Sequence, residues 1–200
     1  MQFIIVGGQF RYELEKLCLA FLPFEKFEFL NGLSEIDPLK NRMVAVIEEK
    51  DNIALSVELK IEQALETRQN CLPKDSQKTD IERALAVLLF DCFLKITGYR
   101  SPWGILTGVR PAKLMGRLIS QLGEEKAVTC FKNDLLVSDK KTKLCLDTYI
   151  SKNILLKSPV PMLLVFIFRF LFALRDVHIV RLFLILLTRL KSLYRSMLNY

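Results

Sequence analysis

The densest run of residues able to do chemistry is Tyr99-Arg100-Ser101-Pro102-Trp103-Gly104-Ile105-Leu106-Thr107-Gly108-Val109-Arg110-Pro111-Ala112-Lys113-Leu114. It holds the only Trp of the chain and a cluster of cations. Arg110, Lys113 and Arg117 stand at i, i+3 and i+7, which on a helix is one face. Such a face can hold a carboxylate-rich ligand, an RNA backbone or an acidic protein surface. The competing reading is that Trp103 and Ile105 pack the loop onto the body while the cations are solvated. No series of aromatic rings accompanies the charge, as stacking on single-stranded nucleic acid requires, so packing is favoured. Trp103, Arg110, Lys113 and Arg117 are thus the candidate contacts to a substrate or to a neighbouring domain.

Catalytic groups are otherwise sparse. The only histidine, His178, lies in a carboxy-terminal tail of different composition, which excludes a Ser-His-Asp or Cys-His arrangement within residues 1–157. Gly7-Gly8 follows a strand-like run, but no third glycine follows, so it is a turn and not a dinucleotide fingerprint. Glu48-Glu49 and Glu124-Glu125 are adjacent pairs whose side chains diverge into solvent. The five cysteines, Cys18, Cys71, Cys92, Cys130 and Cys145, include no Cys-x-x-Cys pair, so neither a zinc site nor a thioredoxin-like motif is supported. Cys18, Cys92 and Cys145 fall in apolar helical patterns, where a free Cys acts as a small hydrophobe. Met1 leads straight into a strand-like run with no basic leader or cleavage site, so a reduced, cytoplasmic protein is expected.

These residues need elements to position them, and 200 residues with 51% apolar content suffice for a folded core. Phe3-Ile4-Ile5-Val6 reads as a strand ended by Gly7-Gly8, and Leu14, Leu17, Cys18 and Phe21 recur at helical spacing over Tyr12–Phe21. Phe27–Leu30 is a candidate second strand. The clearest hairpin joins Met43–Ile47 to the alternating run Ile53–Ile61 through the polar turn Glu49-Lys50-Asp51-Asn52. Cys71–Lys78 reads as a loop containing Pro73. Asp80 is the expected cap of a long helix through Ile96, with Ala84, Leu85, Leu88, Leu89, Cys92 and Phe93 inward and Gly98 as its stop. Pro111 suits the first turn of a helix over Ala112–Leu122, stopped by Gly123. Shorter helices are expected near Glu124–Lys132 and over Asp139–Ile150, the latter capped by Ser138. The fold class is α+β: a small antiparallel sheet with helices (residues 1–98), a helical connector carrying the Pro-Trp-Gly block (99–157), and a hydrophobic basic tail (158–200).

The formal charge of +7 belongs mainly to the tail. Ser158–Tyr200 holds six of the 29 basic residues and one acidic residue, Asp176, a net of +5 that leaves +2 for the first 157 residues. A nearly neutral body argues against a polyanion partner for the whole chain. The tail also fails as a membrane element. Met162–Leu174 is shorter than the roughly 20 apolar residues of a span and carries Arg169 in its middle. Arg169, Arg175 and Arg181 are six apart and point in different directions round a helix, so no polar stripe exists for an interfacial role.

Pro102-Trp103-Gly104-Ile105-Leu106-Thr107-Gly108-Val109-Arg110-Pro111-Ala112-Lys113-Leu114 resembles a signature of the coproporphyrinogen dehydrogenase family. These are radical-SAM proteins like oxygen-independent coproporphyrinogen III oxidase, in which the block precedes the catalytic barrel. Asp134-Leu135-Leu136-Val137-Ser138-Asp139-Lys140-Lys141 is similar to the helical connector of that family, so the resemblance covers Met1 to about Lys157. It implies that a strand and a Cys-x-x-x-Cys-x-x-Cys motif should follow. Those thiolates bind three irons of a [4Fe–4S] cluster, and S-adenosylmethionine chelates the fourth. One electron then cleaves the sulfonium to a 5′-deoxyadenosyl radical, which oxidatively decarboxylates propionate side chains. No cysteine follows Cys145 here, so no residue of this chain is assigned to cluster or cofactor, and the chain alone is expected to be inactive.

The genetic code offers a reason. If the third base of each tail codon is read with the first two of the next, and that third base is T, Phe172-Ala173 can give TGC, Asp176-Val177 TGT and Ile179-Val180 TGT: three cysteines at the required spacing. Permitted codons for the flanking pairs yield Ser-Leu-Tyr-Ile-Ser-Ile-Pro-Phe-Cys-Pro-Thr-Arg-Cys-Ser-Tyr-Cys-Ser-Phe, close to the cluster motif of the family with its preceding strand. The tail therefore reads as a frameshifted translation. It is expected to form no unique packing with residues 1–157, although local helix is favoured over Leu182–Leu187. The implied partners are the missing radical-SAM barrel of the same protein and, through the family, coproporphyrinogen III; neither nucleic acid nor a membrane is expected. The competing function is a non-enzymatic module whose Arg110/Lys113/Arg117 face grips RNA or an acidic partner, with a membrane-associated tail. In either case Tyr99–Pro111 is expected to pack on the α+β body with Trp103 largely buried, since two apolar helix faces need a common cover.

Overall fold

The computed structural model describes residues 1–157 apart from Asn31 and Val109. Met1–Tyr149 form one compact unit, and Ile150–Tyr200 a second. The expected tail behaviour over 158–200 lies outside the described residues.

The fold is α+β. Five strands, β1 (Gln2–Val6), β2 (Glu28–Phe29), β3 (Arg42–Glu49), β4 (Asn52–Ile61) and β5 (Ala64–Pro73), form one sheet in the order β2-β1-β3-β4-β5. Between and after them run the helices α1 (Arg11–Phe21), α2 (Lys78–Thr97), α3 (Pro111–Leu122), α4 (Glu124–Thr129) and α5 (Asp139–Lys157). The sheet is mixed where an antiparallel one was expected. β1 pairs in parallel with both β2 and β3, with Phe3 beside Phe29 and Met43. The reason is connectivity: α1 returns the chain to the starting end of the sheet, so β2 must run the same way as β1. The β3–β4 hairpin is as the sequence predicts, with Glu49 opposite Ile53.

β5 occupies the segment from Ala64 into the expected loop at Cys71–Pro73. A two-residue connection, Glu62-Gln63, closes the hairpin at Ile61 and Ala64, and Glu62 takes the left-handed φ of 53° that such turns demand. β5 is an edge strand with polar residues on both faces, so it carries no alternation to read. Pro73 ends it, where its missing N–H costs no ladder bond.

Alternation along β3 and β4 sends Met43, Ala45, Ile47, Leu55, Val57 and Leu59 to one face of the sheet. There they meet Leu14, Leu17 and Cys18 of α1 and Leu85, Leu89 and Phe93 of α2. Phe21 stacks on Phe93 with ring centroids 4.4 Å apart, tying the end of α1 to α2. α2 begins at Lys78 with Gln77 before it, so Asp80 lies in the first turn, where its charge favours the helix dipole, and is not the cap. Gly98 ends the helix in the left-handed conformation, its N–H bonded to the Leu94 carbonyl.

The remaining helices bury a smaller cluster: Met115, Ala127, Phe131, Val137 and Cys145. Within it α4 widens into a π-helical turn, Cys130–Asp134, in which the Leu135 N–H reaches the Cys130 carbonyl. Ser138 stands before the first residue of α5, and its carbonyl accepts the Thr142 N–H at 2.9 Å. Leu135 touches both clusters. Among the described residues no helix is long and apolar enough to cross a membrane.

Candidate functional site

The Pro-Trp-Gly block is a turn clamped onto the chain that leaves the π-helical turn. The Ile105 N–H donates to the Leu135 carbonyl at 3.0 Å, and the Ser138 N–H donates to the Pro102 carbonyl at 3.1 Å. Gly104 makes this approach possible. Its φ is +58°, and a Cβ there would sit 2.0 Å from the Leu135 oxygen and 2.5 Å from the Leu136 carbonyl carbon. Leu136 opposite is itself at φ 56°, a conformation that costs a non-glycine residue about 1–2 kcal/mol. Two backbone segments in unusual conformations are thus held face to face by their own hydrogen bonds.

Trp103 is half-buried where a largely buried ring was expected. It packs on the smaller helical cluster, and the Lys141 ammonium lies 5.0 Å from its ring centroid. Ile105, not Trp103, is the residue of this loop that enters the main core. The division of labour follows size: Ile105 fits the space beside α2, whereas the indole spans the outer side of the cluster and takes a cation on its face.

The three cations divide as well. Arg110 precedes α3 in an extended conformation, and its carbonyl accepts the N–H groups of Lys113 and Leu114. All three side chains are exposed, and among the described residues none has an ion-pair partner. Arg117 lines a cleft of about 570 Å³ between α1, α2, the 105–108 loop and α3. Arg110, Lys113 and Trp103 do not line it.

The floor of the cleft is apolar, built by Ile105, Leu106, Leu114, Leu118 and Leu135, and its rim carries both signs of charge. Glu13 of α1, Glu82 and Arg83 of α2, and Arg117 of α3 all line it, as do Tyr12 and Thr107. Burial, and then the Glu13 charge, push the Glu82 carboxyl above its ordinary value, against the opposing pull of Lys78 and Arg83. Gly108, at φ +65°, lines the cleft beside Tyr12. Nothing in the local pattern singles out Glu13, Glu82 or Arg83, because a charged residue on an amphipathic helix looks solvated until the elements around it are placed.

Such a cleft can bind an amphipathic ligand, but it is poorly equipped to attack one. Its one thiol, Cys130, is pushed upward by burial and then by its hydrogen bond with Asp134, away from the reactive thiolate. The other core thiols behave alike: burial pushes Cys92 up to about 11, and Cys18 and Cys145 upward too. These dispersed, desolvated thiols do not fit the three-thiolate set of an iron–sulfur cluster. Among the described residues no group of three or more His, Cys, Asp or Glu side chains is placed to hold a metal ion. Compared with protein-family models, curated proteins and solved structures, the chain matches none.

Proposed function

We propose that residues 1–157 are the amino-terminal accessory part of a radical-SAM protein of the coproporphyrinogen dehydrogenase type, acting in porphyrin biosynthesis. In this reading the chain leaves the correct frame before the catalytic barrel. The observation that carries it is the Pro102–Leu114 block; the tail residues also permit three cysteine codons at cluster spacing in the shifted frame. The clamped turn around Gly104 is consistent with it, because the close backbone approach demands a glycine at that position of the block. The half-buried Trp103 with Lys141 on its face, and the exposed Arg110 and Lys113, are residues that a neighbouring domain would contact in this reading. Arg117 lines the cleft, and in this reading it is the cation that meets a carboxylate-bearing substrate.

The test compares this chain with a frame-restored protein after anaerobic reconstitution with iron and sulfide. The reading expects one [4Fe–4S] cluster per frame-restored chain and none on this one. A stoichiometric cluster on this chain, or none on the restored protein, would refute it.

The exposed, unpaired trio Arg110, Lys113 and Arg117 favours a second reading, a module that grips RNA or an acidic protein. That reading requires an RNA affinity that falls steeply with salt, and a salt-independent or absent affinity removes it.

A further inference from the structure

We infer that two copies of this chain pair through the free edge of β5, antiparallel and centred on Thr67. The inference is independent of the proposed function. Among the described residues β5 has a strand neighbour on one side only, β4. It is ten residues long, and its Leu65 is 52% exposed. A long edge strand presents unpaired backbone groups as a template for another strand.

The direction of those groups follows from the hairpin. In a two-residue connection the closing pair, here Ile61 and Ala64, is hydrogen-bonded, and bonded pairs then recur at every second residue. Glu66, Arg68 and Asn70 therefore direct their backbone groups to β4, while Leu65, Thr67 and Gln69 direct theirs to the open side. Cys71 belongs to the outward set, and its N–H is already occupied by the Asn70 side-chain oxygen at 2.8 Å. That leaves Leu65, Thr67 and Gln69 as the pairing surface.

Charge selects the register. Natural edges are commonly guarded by charge of one sign, which repels a second copy. This edge instead carries Glu66 and Arg68, one of each sign, two residues apart and 3.5 Å from each other. Centring the two-fold axis on Glu66 places two glutamates opposite each other, and centring it on Arg68 places two arginines opposite, both unfavourable. Centring it on Thr67 sets each Glu66 opposite the Arg68 of the second copy, Thr67 opposite Thr67, and Leu65 opposite Gln69. All three outward residues then exchange backbone hydrogen bonds. The self-complementarity of the interface is what a two-fold dimer requires.

Sedimentation equilibrium of the full chain and its charge variants tests this. The wild-type chain should be a dimer. Glu66→Arg and Arg68→Glu alone each turn two attractive cross-strand pairs repulsive, so each should weaken dimerisation about tenfold or more. The double variant Glu66→Arg/Arg68→Glu should restore the wild-type dissociation constant. Thr67→Pro, which removes the central donor, should give a monomer with an unchanged circular dichroism spectrum. A monomeric wild-type chain, a double variant as weak as the singles, or a folded Thr67→Pro dimer would each overturn the inference.

Discussion

Replacing Gly104 with alanine should uncouple the Pro-Trp-Gly turn from the helical connector, and the cost can be worked from the geometry. The new Cβ would lie 2.0 Å from the Leu135 carbonyl oxygen and 2.5 Å from the Leu136 carbonyl carbon, both backbone atoms that cannot swing aside. The left-handed φ of +58° adds a strain of about 1 kcal/mol for any non-glycine residue. Relief requires the turn to lift, which breaks the Ile105–Leu135 and Ser138–Pro102 backbone hydrogen bonds. Each is worth about 1 kcal/mol net. Lifting also exposes part of Ile105, now 9% accessible, at about 1 kcal/mol more. The expected loss is about 4 kcal/mol, a large share of the roughly 5–15 kcal/mol by which a domain is stable. Gly98→Ala is the matched control: it has a similar φ of +66° but nothing within 4 Å of its Cβ, so it should lose about 1 kcal/mol only. Urea unfolding followed by Trp103 fluorescence reads both variants. Equal losses would refute the claim that close backbone approach, and not conformation alone, requires the glycine.

Two further outcomes follow from polar groups wholly or partly removed from solvent. Because folding raises the Glu82 carboxyl above its ordinary 4.5, the folded state binds its proton more tightly, and stability falls as pH rises through that window. Glu82→Gln should therefore stabilise the chain at neutral pH and have little effect at pH well below the ordinary carboxylate range; thermal melts at the two pH values check this, and a loss of stability at neutral pH would contradict it. Thr142 is 2% exposed and its hydroxyl finds no partner among the described residues, so Thr142→Val should gain about 1 kcal/mol. A clear destabilisation in urea would show that the hydroxyl is bonded.

Legibility in the sequence tracked how strongly each segment marks one face. β4 alternates over Ile53–Ile61 and α2 repeats Leu85, Leu88, Leu89 and Phe93, so both were readable with their turn residues. β5 was not, because Leu65, Thr67, Gln69 and Cys71 lie on one exposed face opposite Glu66, Arg68 and Asn70, leaving no contrast between faces. The parallel pairing of β1 was hidden for another reason: strand direction is set by how α1 folds back, which no local pattern records. At the candidate site the special character of the Trp103 block was visible as composition, and the spacing of Lys113 and Arg117 correctly put both on α3. That Arg117 shares a cleft with Glu82 and Arg83 depends on packing between α2 and α3 across more than 30 residues of sequence.

The central claim, that residues 1–157 belong to a radical-SAM protein whose frame is lost before its barrel, is tested most directly by sequencing the coding DNA through codons 155–181. The account predicts cysteine codons across Phe172-Ala173, Asp176-Val177 and Ile179-Val180 in the shifted frame, within an open run that encodes the preceding strand. A third base other than T at the Phe172, Asp176 or Ile179 codon, or a stop codon in the shifted frame, would contradict it.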